Sequence, residues 1–165
     1  MADKAPYESL VNLNHDPDLA LALGNLIIVW SDVERSLVVV LHNVLGIHMD
    51  RCAEMFYSLP NFEARIRLIS TLLSSWKPTN ADRDEIGKKV EKLRGCAAAR
   101  NGWVHGNWVI TNDHKTTYVF NMREPNDSTK KRKPTHAADV RNHNSAVLKI
   151  VADLYKLLPI KPLPA

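Results

Sequence analysis

Residues 19–45 read LALALGNLIIVWSDVERSLVVVLHNVL and form the most apolar stretch of this chain of 165 residues. Large apolar side chains recur there at alternating steps of four and three: Leu19, Leu23, Leu26, Trp30, Val33, Leu37, Val40 and Val44. This period predicts a long helix that packs in a helical bundle. Polar residues, among them Asp32 and Glu34, interrupt the stretch, so we do not expect it to span a membrane.

The same helix carries apolar residues outside that stripe, namely Ile27, Ile28, Val29, Val38 and Val39. A helix that is apolar beyond one face needs a second surface to cover the surplus. We therefore expect a homodimer that buries part of this helix.

Helical patterns recur further along the chain, in residues 49–59, 62–76, about 80–105 and 137–158. Thr79 or Asn80 is the expected N-cap of the third of these segments, and Gly106 its expected end. Between the last two helices, residues 108–111 and 116–121 are β-branched and aromatic around a turn-like NDHK, which predicts a β-hairpin.

These patterns predict an all-α fold, an antiparallel bundle of four to five helices with a small β-hairpin inserted before the last helix. We expect a single domain over residues 1–165, with a loose lead-in at 1–17 and a proline-rich tail at 159–165. Its size suits one hydrophobic core.

The composition is that of a globular protein with a mild excess of basic residues, a net charge of +4. That charge permits a polyanionic partner such as RNA. The first residues lack the pattern of a signal peptide, so a cytoplasmic location is expected. No metal-ligand spacing or phosphate-binding glycine loop is present, so no metal and no cofactor are expected.

A polar cluster lies at the end of the third of these helical segments, whose apolar stripe is Ile86, Val90, Leu93, Ala97, Arg100 and Val104. Arg100 thus takes a position expected in the core, and Asn101 borders it. His105 is four residues after Asn101, so the two lie about 40° apart on one helix face. Arg100 is about 140° from His105 around the axis, but its side chain is long enough to reach the same cleft.

The stretch ARNGWVHGNW at 99–108 carries a family resemblance. Arg100-Asn101-x-x-x-His105 resembles the arginine, polar residue, spacer and histidine signature of HEPN ribonucleases, a family of helical domains found in toxins and phage-defence proteins. The long first helix with WSDVE at 30–34 and the FEAR segment at 62–65 resemble the wider layout of that family.

The resemblance implies a metal-independent endoribonuclease, with catalytic residues Arg100, Asn101 and His105. His105 would transfer protons, Arg100 would bind the phosphate oxygens, and Asn101 would hold His105 or the phosphate. It also implies a homodimer with a composite active site, RNA as the substrate and, for a toxin, an antitoxin protein as a partner.

Other residues are candidates for supporting roles. Glu34 borders the inner stripe, where it would orient Arg100 or His105, or form a structural salt bridge with Arg65. Trp103 would stack on RNA bases or pack the hairpin on the bundle. The basic run Lys130, Lys131, Arg132 and Lys133 would bind RNA phosphates or remain solvated.

Two other interpretations of the same residues stay open. The chain could be a HEPN-like module that binds nucleotide, RNA or protein without cleavage. It could also be a purely structural helical dimer, in which Asn101 and His105 are a hydrogen-bonded pair and Arg100 is salt-bridged to an acidic neighbour such as Glu34.

Overall fold

A computed structural model describes residues 7–9, 12–78, 82–120 and 133–158. Within these ranges, the helices and strands are, in chain order, β1 (Tyr7–Ser9), α1 (Pro17–Leu45), α2 (Met49–Ser58), α3 (Phe62–Ser75), α4 (Arg83–His105), β2 (Asn107–Thr111), β3 (Thr117–Phe120) and α5 (Ala137–Leu157). The prediction of a mainly-α fold with a small hairpin before the last helix is confirmed. None of the helices in the described ranges combines the length and the apolar character that crossing a membrane requires.

Helix α1 packs as the sequence predicts. Pro17 occupies the first turn, and the Asp16 carboxylate accepts a hydrogen bond from the backbone N–H of Leu19 at 2.9 Å. This is an N-cap, which satisfies one of the amide groups left open at a helix start. Along the helix, the stripe that begins at Leu19 is buried at six of its eight positions and half-buried at the other two.

The five apolar residues outside that stripe differ in exposure. Val29 and Val38 are buried and Val39 is half-buried, whereas Ile27 and Ile28 are 58% and 65% exposed. Leu21, on the same helix, is also 65% exposed. The surplus that predicts a homodimer is therefore accounted for in part by the core, and the dimer stays a prediction.

Helix α4 begins at a different cap from the expected one. Thr79 and Asn80 lie outside the described residues, and the Asp82 carboxylate accepts a hydrogen bond from the backbone N–H of Glu85 at 2.9 Å. Its stripe is buried from Ile86 through Ala97. The stripe does not continue to the end of the helix, because Val104 is 36% exposed, so the prediction that Val104 points inward is wrong.

The strands form one antiparallel sheet in the order β1-β2-β3. Strands β2 and β3 are the expected hairpin, with Trp108 opposite Val119. Strand β1 pairs with β2 on the side away from β3, with Tyr7 opposite Thr111. The expectation of a loose lead-in at 1–17 is therefore wrong for residues 7–9, which pair with a strand about a hundred residues later in the chain.

The chain divides into two compact units, 1–27 with 98–144 and 28–97 with 145–165. The prediction of a single domain over 1–165 stays a prediction. In the first unit, a small apolar cluster contains Leu19, Ala22, Leu26, Ala137 and Val140, with Trp103 and Trp108 packed against it. The second unit is built of helices around a larger core, whose fully buried residues include Val33, Leu37, Phe56, Ile69, Leu93 and Leu154.

Candidate functional site

The candidate site occupies the last two turns of α4. Arg100 and Asn101 lie one turn before His105, which is the last residue of the helix. After His105 the chain turns directly into β2, whose first residue is Asn107. The backbone of the last turn thus positions all three side chains.

Arg100 brings the three side chains together. Its Nη1 atom donates a hydrogen bond to the Oδ1 atom of Asn101 at 3.0 Å and lies 3.3 Å from the Nε2 atom of His105. A guanidinium group has only donors, so Nε2 must be the acceptor in this contact. The arginine side chain is long enough to reach His105, although the two residues are widely separated around the helix axis.

The cluster is accessible to solvent. Asn101 and His105 are exposed, and Arg100 is half-buried. The core position expected for Arg100 is therefore found only in part, and Asn101 and His105 lie outside the core, because the stripe of α4 leaves the core after Ala97. An exposed cluster can meet a large substrate such as RNA without any opening of the fold.

Gly106 allows β3 to approach the end of α4 closely. A Cβ atom at this position would lie less than 3 Å from the backbone oxygen of Gly102 and from the Cγ2 atom of Val119, and 3.0 Å from the backbone oxygen of Phe120. Only glycine fits such an approach. The residue after His105 is therefore fixed against both its own helix and the neighbouring strand.

Trp108 adds a second restraint on the same turn. Its indole Nε1–H donates a hydrogen bond to the backbone oxygen of Trp103 at 2.9 Å. The last four carbonyl groups of a helix have no partner within the helix, and Trp103 supplies one of them. A strand residue thus caps the helix end that carries His105, a role that the sequence analysis did not assign to Trp108.

Trp103 is involved in packing. Its ring meets the ring of His143 edge to face, with a centroid distance of 5.0 Å and an interplanar angle of 82°. It also packs against the apolar cluster of the first unit. These contacts favour the packing alternative for Trp103 over stacking on RNA bases.

His143 is a second histidine of interest, which the sequence excludes only as a partner of His136 in a metal site. Its Nε2 atom is buried and has no hydrogen-bond partner among the described residues. Burial lowers the pKa of His143 below the ordinary histidine value. His143 is therefore suited to stay neutral beside Trp103.

Glu34 pairs with Arg65. The Nη1 atom of Arg65 donates to the Oε1 atom of Glu34 at 2.7 Å, and the two side chains are only 16% and 22% exposed. The guanidinium of Arg65 also lies over the rings of Phe56 and Tyr57, at 5.0 and 5.2 Å. Of the two roles expected for Glu34, the contacts are those of the structural salt bridge.

The basic run falls largely beyond the described part of the chain. Lys130, Lys131 and Arg132 lie outside the described residues, and Lys133 is exposed. Within the described ranges, no group of three or more His, Cys, Asp or Glu residues is placed to hold a metal ion.

Comparisons with protein-family models, with curated proteins and with solved structures found no match for this chain.

Proposed function

We propose that this chain is a metal-independent endoribonuclease of the HEPN type, with Arg100, Asn101 and His105 as its catalytic residues. The observation that supports this most is the position of one guanidinium nitrogen within 3.0 Å of Asn101 Oδ1 and 3.3 Å of His105 Nε2, at an exposed helix end. A cation next to a histidine is the pair of groups that RNA transesterification needs.

In the proposed reaction, the ribose 2′-OH attacks the adjacent phosphorus. His105 accepts the 2′-OH proton as the O2′–P bond forms, and Arg100 neutralises the charge of the phosphorane. The P–O5′ bond then breaks and the leaving oxygen takes up a proton. The products are a 2′,3′-cyclic phosphate and a 5′-OH. The reaction consumes no water and uses no metal ion.

The contacts give Asn101 a specific role in this scheme. Its Oδ1 atom accepts a hydrogen bond from Arg100, so it orients the guanidinium. A homodimer would bring a second copy of His105 to protonate the leaving oxygen while the first copy holds the proton taken from the 2′-OH. RNA as substrate, an antitoxin protein as partner and a cytoplasmic location belong to the same proposal.

The experiment is incubation of the purified protein with total RNA in the presence of EDTA, followed by analysis of the new ends. We expect cleavage by the wild type and 2′,3′-cyclic phosphate ends. His105→Ala should lower the rate by about 10²- to 10⁴-fold, the usual contribution of a general acid or base. Equal rates for the two proteins would refute this mechanism.

A matched control is His136→Ala, which removes another exposed histidine of the same unit and should keep the wild-type rate. Expression in the host gives a second readout: the wild type should slow growth, and Arg100→Ala should relieve it.

One observation favours a second function, a HEPN-like module that binds nucleotide, RNA or protein without cleavage. In the structure the Nε2 atom of His105 is already engaged by Arg100. A module that only binds would retain RNA in the same assay, with Arg100→Ala weakening retention and the RNA remaining intact.

A further inference from the structure

The contact between Arg100 and His105 determines where the imidazole proton is. A neutral imidazole has one N–H donor and one acceptor nitrogen, and imidazolium has two donors. Arg100 Nη1 can only donate, and it lies 3.3 Å from Nε2. Of the three forms of the ring, only the neutral one with its proton on Nδ1 presents an acceptor to Arg100.

The two other forms would be repelled. A proton on Nε2 places two N–H groups against each other, and an imidazolium adds a second positive charge beside the guanidinium. Asn101 Oδ1 accepts a hydrogen bond from the same Nη1 atom at 3.0 Å, so a second contact holds the guanidinium in place. His105 itself is exposed, so water can solvate the Nδ1–H group.

We infer that Arg100 is the positioning residue that fixes His105 in the Nδ1–H form, and that a phosphate oxyanion must draw Arg100 away before Nε2 can accept a proton. This inference rests on the proposed function for the identity of the phosphate, a phosphodiester of RNA. The acceptor nitrogen Nε2 is then hydrogen-bonded to Arg100 in the free protein and is released from Arg100 when the substrate phosphate binds.

The exchange is favourable in chemical terms. A guanidinium forms charge-assisted, often bidentate hydrogen bonds with a phosphate, which are stronger than a bond to a neutral imidazole nitrogen. Once Arg100 moves to the non-bridging oxygens, the Nε2 lone pair is free to take the 2′-OH proton. The imidazolium that results lies beside a phosphorane, whose negative charge stabilises it.

Nitrogen-15 NMR of the histidine rings of the full chain, at about pH 8 where histidines are neutral, tests this directly. The probes are inorganic phosphate and a dinucleotide with a 2′-deoxyribose, which cannot react. We expect Nε2 of His105 to be unprotonated in the free protein. Either probe should shift the Nε2 resonance away from the protonated position in a saturable manner, because Nε2 loses the hydrogen bond that Arg100 donates.

Variants of Arg100 provide the controls. Arg100→Gln can either donate or accept, so its His105 should be a mixture of the two neutral forms, insensitive to the probes. Arg100→Lys can only donate and should restore the Nδ1–H form. If a variant does not fold, the titration of the wild type with the two probes is sufficient to test the inference.

Two results would overturn the inference: a free wild type with the proton on Nε2, or an Nε2 resonance that neither probe moves. The spectra do not depend on RNA cleavage. A protein that shows the shift but leaves RNA intact would refute the proposed function alone, and one that cleaves RNA without the shift would refute this inference alone.

Discussion

Replacing Gly106 by alanine should destabilise the protein strongly, although it adds only one methyl group. The added Cβ atom would lie less than 3 Å from the backbone oxygen of Gly102 and from a methyl group of Val119, and 3.0 Å from the backbone oxygen of Phe120. Two of these three atoms belong to the backbone, so they can move only if the end of α4 or strand β3 shifts.

The size of the effect follows from that geometry. Adding volume to a well-packed site costs about 1–3 kcal/mol, and clashes with backbone place this case near the upper end, at about 3 kcal/mol. In a chain of this size, each kcal/mol lowers the Tm by about 2–4 °C. We therefore expect Gly106→Ala to melt about 6–12 °C below the wild type.

The matched control is Gly95→Ala in the same helix. A Cβ atom at Gly95 meets nothing within 4 Å, and the position is exposed. Alanine is favoured over glycine inside a helix by about 0.5–1 kcal/mol, so this variant should be more stable than the wild type. The same chemical change thus has opposite signs at two positions of α4.

Urea denaturation of the three proteins measures both effects, since the unfolding free energy follows from the midpoint at a common slope. Gly106→Ala should also reduce RNA cleavage, because it displaces the residue next to His105. An unfolding free energy for Gly106→Ala within about 0.5 kcal/mol of the wild type would refute the reasoning, because surface substitutions commonly stay within that range.

Three further predictions concern Trp108, Glu34 and His143. Trp108→Phe keeps most of the ring but removes the hydrogen bond to Trp103, which should lower the unfolding free energy by about 1 kcal/mol in urea denaturation. Glu34→Gln leaves the half-buried Arg65 without its counter-charge and should lower the unfolding free energy by about 2 kcal/mol. RNA cleavage by the folded variant should stay unchanged. A large loss of cleavage would instead assign Glu34 to the catalytic site. Because burial lowers the pKa of His143, the native protein binds fewer protons there than the unfolded chain. The stability that neutral His143 contributes is complete above the unfolded pKa of about 6.5 and is lost as the pH falls through the lower folded pKa. The Tm of His143→Phe should therefore decline less on acidification than the Tm of the wild type. Parallel curves of Tm against pH for the two proteins would contradict this role of His143.

The helices could be predicted because their signals are local. The stripe of α1 and the first three turns of the α4 stripe follow from apolar spacing alone, and both are buried apart from two half-buried positions of α1. Periodicity identifies the face of a helix that is apolar, but not how far along the helix the core extends. That is why Val104 continues the spacing of Ile86 and Val90 and is nevertheless exposed.

Strand β1 could not be predicted for a different reason. A strand of three residues carries too little alternation to be recognised, and its partner, β2, is distant in the chain. The cap formed by Trp108 is similarly hidden, since nothing in the sequence indicates that a strand residue reaches back to the carbonyl of Trp103. Such contacts depend on tertiary geometry.

At the candidate site, the sequence motif identifies the residues that interact but not the atoms through which they interact. The spacing of Arg100, Asn101 and His105 predicts that they meet, but the atoms that meet are set by the path of one long side chain. Because Asn101 and His105 are exposed, the contacts of Arg100 with them should add little to stability, as is usual for polar pairs at a surface. His105→Ala should therefore keep a Tm close to that of the wild type, in contrast to Gly106→Ala. A loss of RNA cleavage in His105→Ala at an unchanged Tm would then report chemistry, and comparison of the two variants separates the catalytic group from the scaffold that positions it.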